Sequence, residues 1–223
     1  MSAQRTLGEF VTDEKIVEWL AAQIADNHRD ATHGATAVAK RHHLPMVCST
    51  CTATKACCSS YVLVRLYEGL VIAAELVRSG RDTPALREML RARAELMEST
   101  PVADWFTPCL FLDEAERCTV YAVRPTTCAQ LFVYTPPDLC NARSNEIKSY
   151  TPREEVAAAN ALEEAFRERL SLRKKVGRRY FGILPRMVLV SLEAWDLTDF
   201  RDYLRQLPWR TDEEWAAAVA ARA

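Results

Sequence analysis

Glycine is scarce in this 223-residue chain, with six in all, and neither end carries a cysteine. So few glycines leave few sites for the left-handed turns that hairpin-rich folds use. Abundant Ala, Leu, Glu and Arg favour helices instead. An excess of one charge is also missing, since 29 basic residues face 30 acidic ones. That balance removes any global electrostatic case for nucleic acid, a polyanion or an anionic membrane as partner. No apolar run is long and clean enough to span a bilayer. The best, residues 62–77, is broken by Arg65, Glu68 and Glu75. Residues 1–10 lack the apolar core of a secretory leader and reach Arg5 early, so a soluble, cytoplasmic protein is expected. Phosphate-loop, dinucleotide-glycine and hydrolase-elbow motifs are absent from the sequence.

What is present is cysteine, and it is clustered. All eight lie between Cys48 and Cys140, a poor distribution for disulfides that staple a whole fold. In a reducing compartment the same residues read as metal ligands or catalytic thiols. The first group is Cys48-x2-Cys51-x5-Cys57-Cys58; the second is Cys109, Cys118 and Cys128, with Cys140 further on. Two cysteines spaced by two residues can aim both sulfurs at one ion from a tight loop. Adjacent cysteines serve one ion poorly, so Cys57-Cys58 implies either two metals or one ligand and one bystander. The alternative, small buried hydrophobes, suits a single cysteine better than a group set among Ser, Thr and Lys.

The surrounding chain reads as helical. Thr12-Asp13-Glu14 resembles a helix start, followed by Ile16, Val17, Leu20 and Ile24 at helical spacing to about His43, with a break expected near Gly34. Residues 46–58 show no amphipathic period and read as a loop. Residues 59–78 form a helix that is apolar nearly all round, the expected buried centre, ending at Gly80. Thr83-Pro84 caps a helix to about Glu98 whose inner face carries Leu86, Met89, Leu90, Ala94 and Met97. Residues 109–123 resemble a short hairpin turning at 113–117, and Arg124-Pro125 opens a helical turn through Cys128 that is expected to stop at Pro136-Pro137. Residues 138–150 look like loop. Thr151-Pro152 then starts a helix with Ala159, Leu162, Phe166 and Leu170 on one face and a stop at Gly177, and pieces around 182–195, 197–206 and 211–222 follow.

The expected fold is therefore mainly α: a helical domain with a cysteine-rich loop and a short β-hairpin around a metal site, plus a C-terminal helical extension. The expected division is an N-terminal helical segment (1–45), a cysteine-cluster domain (46–140) and the extension (141–223).

In order, the segments Cys48-x2-Cys51-x5-Cys57-Cys58, Pro108-Cys109-Leu110-Phe111-Leu112 and Cys118-x2-Tyr121-x2-Arg124-Pro125-x2-Cys128 resemble the cysteine-cluster family of zinc- or iron-chelating domains. The likeness covers roughly residues 45–133. Leu110 and Ala129 stand where that family commonly has proline and arginine. The resemblance implies metal chelation by Cys48, Cys51, Cys57, Cys58, Cys109, Cys118 and Cys128, with Cys140 outside the familiar set. Flagellin lysine methylases are similar over the same cysteines, which favours a 4Fe-4S iron–sulfur cluster over zinc.

Zinc and a cubane cluster each take four thiolates, so seven exceed one closed site. Arg124 and Tyr121, inside the third segment, are candidates to line a cofactor. Arg124, Lys55 and Arg117 can offset thiolate charge. His42-His43 could add a ligand, though a solvated helix end is the plainer reading. The basic run from Arg167 to Arg179 is interleaved with Glu163, Glu164 and Glu168, and so reads as a salt-bridged surface. Trp195, Trp209 and Trp215 read as packing residues. Three functions remain open. The centre can be structural, redox or sensing. It can be an open iron site in an enzyme, such as one that modifies a protein using S-adenosylmethionine. Or it can be a zinc-stabilised helical scaffold whose C-terminal helices dock a protein partner.

Overall fold

The computed structural model describes residues 5–46, 56–141, 146–150, 153–172 and 179–220, and it is mainly helical. Helix α1 (Leu7–Asp13) begins well before the start expected at Thr12-Asp13-Glu14, because Thr6 and Glu9 form a reciprocal cap. The Thr6 hydroxyl accepts from the Glu9 amide (3.2 Å) and the Glu9 carboxylate from the Thr6 amide (2.8 Å). Thr12 is thus inside α1 rather than at a start. The interruption falls at Lys15, which is left-handed at φ 50°. Helix α2 (Ile16–Arg41) then runs unbroken through Gly34. Ile16, Leu20 and Ile24 bury its first half, and Ala31, Ala35 and Ala39 its second. The alanines leave room for larger side chains, and Phe132 and Tyr134 pack against them.

After a 3₁₀ turn at Ala56–Ser59, the expected long helix is split into strand β1 (Leu63–Arg65) and helix α3 (Leu66–Arg78). The β-branched Val64 lies in this strand, whose conformation suits such side chains. Helix α4 (Pro84–Ser99) follows, capped as expected by Thr83 Oγ1, which accepts from the Leu86 amide at 3.2 Å. Leu90, Ala94 and Met97 are buried, but Met89 is 55% exposed and does not belong to the inner face. Next come helix α5 (Thr126–Ala129), strand β2 (Phe132–Val133), helix α6 (Pro137–Asn141), strand β3 (Ser149–Tyr150) and helix α7 (Arg153–Arg169). The turn carrying Cys128 therefore stops at Ala129, Pro137 starts a helix instead of ending one, and 138–150 is not simply loop. Ala159, Leu162, Phe166 and Leu170 are buried as one face of α7, as their spacing requires. Gly177 and Thr151-Pro152 lie outside the described residues. Strand β4 (Phe181–Ile183) leads into helices α8 (Leu184–Trp195), α9 (Phe200–Gln206) and α10 (Asp212–Ala220).

The centre is a pair of strand–helix units. Strands β1 and β4 are antiparallel, with Leu63 opposite Ile183 and Arg65 opposite Phe181. Each helix's first amide donates into the other unit, Leu66 to the Tyr180 carbonyl (2.8 Å) and Leu184 to that of Val62 (3.0 Å). These bonds satisfy donors that a helix start otherwise leaves open. Helices α3 and α8 then pack along their lengths. Gly69 permits the close approach: a Cβ there would lie 2.6 Å from the Met187 carbonyl oxygen. Leu70, Ile72 and Leu76 of α3 and Val188 and Leu192 of α8 are buried in the main core, and each such burial is worth about 1.5–3 kcal/mol. The tryptophans pack as expected. Trp209 meets Tyr180 edge-on at 4.9 Å, Trp215 meets Phe181 at 5.8 Å, and Trp195 covers Gly8. Among the described residues no helix is long and apolar enough to cross a membrane.

Candidate metal centre

Three stretches of chain are sewn together beside the N-terminal end of α3. The 3₁₀ turn Ala56–Ser59 carries Cys57 and Cys58. Its backbone pairs with the segment before Phe111: Cys109 donates to the Cys58 carbonyl at 2.8 Å, and Thr107 to that of Ser59 at 3.2 Å. From Cys109 the chain reverses. The Asp113 carboxylate accepts from the amides of Ala115 (2.9 Å) and Arg117 (2.8 Å), Leu112 and Cys118 form a single bridge, and Thr119 donates to the Phe111 carbonyl at 2.8 Å. The expected turn is present, but the arms are one β-bridge and a 3₁₀ turn (Tyr121–Val123) rather than two strands. Phe111 and Val120 anchor the reversal in the main core.

Cys128 sits on α5, and its amide donates to Pro125 at 2.9 Å. Two bonds tie that turn to the central unit. The Thr126 amide donates to Glu68 Oε1 at 2.8 Å, and the Thr127 hydroxyl donates to the Leu63 carbonyl at 3.0 Å. Glu68 is only 2% exposed, and its other oxygen accepts from the Arg65 amide at 2.8 Å. Helix α6, which carries Cys140, packs on the Cys57-Cys58 turn. The cysteine that the motifs set apart is therefore a neighbour of the first group.

Burial and neighbouring thiols together raise several of these cysteines. The Cys58 thiol is pushed strongly up, first by its hydrogen bond with Cys57, then by burial and by the charges that Cys57, Cys109 and Cys128 would carry. Burial leads in raising Cys109, with Cys118 adding to it. Cys128 is pushed up to about 12, by burial first and then by Cys109, Cys118, Glu68 and Cys57. Cys57 and Cys128 are exposed and Cys58, Cys109, Cys118 and Cys140 half-buried. Thiols packed this way resist ionising together until a cation shares their charge. An all-sulfur donor set suits zinc or iron–sulfur and disfavours hard cations. Among the described residues, no three Cys, His, Asp or Glu side chains are arranged to hold an ion by themselves. Cys48 and Cys51, and Lys55 with them, lie outside the described residues.

Of the other candidates, Arg124 stacks on the Tyr121 ring at 3.7 Å from its centroid, and Tyr121 is 65% exposed. The buried Arg124 Nε and His28 Nε2 have no hydrogen-bond partner among the described residues. Burial, and then the Arg124 charge, push His28 down to about 4. Arg117 pairs with Asp113, with Nε and Nη2 each at 3.0 Å from its carboxylate. His42 and His43 are exposed at the end of α2. Glu68 is the residue that motif reading missed. Its one sequence signal was that it interrupts an otherwise apolar helix.

Residues 47–157 match the model of a family described as CxxCxxCC, "putative zinc- or iron-chelating domain". No curated protein and no solved structure matches the chain significantly.

Proposed function

Since the chain belongs, over residues 47–157, to the CxxCxxCC family of zinc- or iron-chelating domains, we propose that it holds an iron–sulfur cluster used for redox or sensing, or as a structural tie. Cys57, Cys58, Cys109, Cys118 and Cys128 supply thiolates, joined by Cys48 and Cys51, with Cys140 alongside. The observation that carries this reading is the backbone stitching of three cysteine-bearing segments: the Cys109 amide donates to the Cys58 carbonyl at 2.8 Å, Cys118 bridges Leu112, and the Cys128 turn is tied to Glu68 and Leu63 at the start of the central unit. The thiols are raised where they stand, and a bound metal or cluster would supply the positive charge that lets them ionise. The surplus of thiols over four suits more than one site for either metal, and the preference for a cluster over zinc rests on the likeness to flagellin lysine methylases over the same cysteines.

The test is anaerobic purification followed by an absorption spectrum, metal analysis and an assay for acid-labile sulfide. A brown protein with iron and sulfide in near-equal amounts supports the cluster. A colourless protein with stoichiometric zinc selects the other occupant of the same thiolates. Protein with neither metal defeats both.

A further inference from the structure

The geometry points to Glu68 as a positioning residue of the metal centre, the group that locks the Cys128 turn to the helical core. This inference rests on the thiolate site described above. A carboxylate 2% exposed is costly to bury unless its oxygens are satisfied. Among the described residues, both of its hydrogen-bond partners are backbone amides. Oε2 takes the Arg65 amide at the start of α3, and Oε1 reaches across 58 residues of sequence to the Thr126 amide at the start of α5. Helix α5 has only four residues, too few to hold its own conformation. What fixes it is therefore external: this carboxylate, and the weaker bond from Thr127 to Leu63. A charge-assisted bond to a buried carboxylate is the stronger of the two kinds.

Cys128 is two residues beyond Thr126 on the same short turn, so the bond sets where its sulfur stands relative to Cys58 and Cys109. Binding then does not have to order this turn, and the ordering cost is removed from the metal's affinity. The Arg65 side chain cannot take over this role, because a guanidinium has only donors to present to the Thr126 amide; it donates instead to Glu163 (3.1 Å) and Asn160 (2.6 Å).

Glu68→Gln keeps the shape but presents an amide NH2 to one of the two N–H donors and only a neutral oxygen to the other, so the Thr126 bond is either lost or stripped of its charge assistance. Two readouts apply, with Leu204→Ala as a control that destabilises the core at α9 without touching the cysteine segments. The first is cobalt(II) titration, which reports thiolate ligation through its charge-transfer absorbance. Glu68→Gln is expected to weaken cobalt binding at least tenfold and to lower the absorbance towards that of Cys128→Ser, while Leu204→Ala binds like wild type. The second is hydrogen exchange of the Thr126 amide in metal-free protein, expected to be at least tenfold faster in Glu68→Gln and unchanged relative to global stability in Leu204→Ala. Wild-type cobalt affinity in Glu68→Gln, or an equal loss in Leu204→Ala, overturns the role. If wild type itself binds no cobalt, the thiolate-site reading fails separately. Exchange at Thr126 then still decides whether the tether exists.

Discussion

Replacing Gly69 with alanine sets two effects against each other and lets packing decide the sign. In an exposed helix the change stabilises by about 1 kcal/mol through backbone entropy. At this position the new methyl carbon would lie 2.6 Å from the Met187 carbonyl oxygen, 2.7 Å from its carbon and 2.9 Å from its Cβ. Ordinary carbon contacts sit at about 3.5–4.0 Å, so α8 would have to retreat by roughly an ångström along the interface that forms the core. The first two obstacles are backbone and cannot swing aside as a side-chain tip can. Overpacking of this kind costs about 1–3 kcal/mol, and the rigid neighbours place this case at the upper end. The net expectation is a loss of about 2 kcal/mol, which for a chain of this size lowers Tm by roughly 4–8 °C. Urea and thermal denaturation followed by circular dichroism measure it. A variant as stable as wild type, or more stable by the helix-propensity increment, would refute the close α3–α8 packing.

Other expectations follow from individual contacts. Thr6→Ala removes one half of the cap on α1 and should cost about 1 kcal/mol in urea denaturation. Glu98→Gln breaks the two-bond pair with Arg186 (3.0 and 2.8 Å) that links α4 to α8. Both side chains are partly exposed, so the loss should stay within about 1 kcal/mol and shrink in high salt. His28 is held neutral in the fold down to about 4, whereas an unfolded histidine titrates near 6.5. Between those values the unfolded chain binds the extra proton, so stability present at pH 7 is lost as pH falls through the window. The slope is at most about 1.4 kcal/mol per pH unit. His28→Gln should flatten the dependence of the urea midpoint across that range, and an unchanged slope would remove His28 as its source.

By itself the sequence determined the helical class, the caps at Thr83 and the stop at Gly80, because these depend on neighbours a few residues away. It also pointed to metal chelation, through its clustered cysteines, and the match over 47–157 to a family of zinc- or iron-chelating domains agrees at that level. It misplaced the first break at Gly34 rather than Lys15, since the Thr6–Glu9 cap and the left-handed Lys15 are small local features that the longer apolar period overrode. Only the tertiary structure separated β1 from α3. A three-residue strand has no period of its own and exists because β4, more than a hundred residues later, supplies its partner. The same holds at the candidate site. Motifs named the thiols, but Glu68 reaching Thr126 and α6 bringing Cys140 beside Cys57-Cys58 are long-range contacts, and sequence spacing carries no information about which distant backbone amide a buried carboxylate will meet.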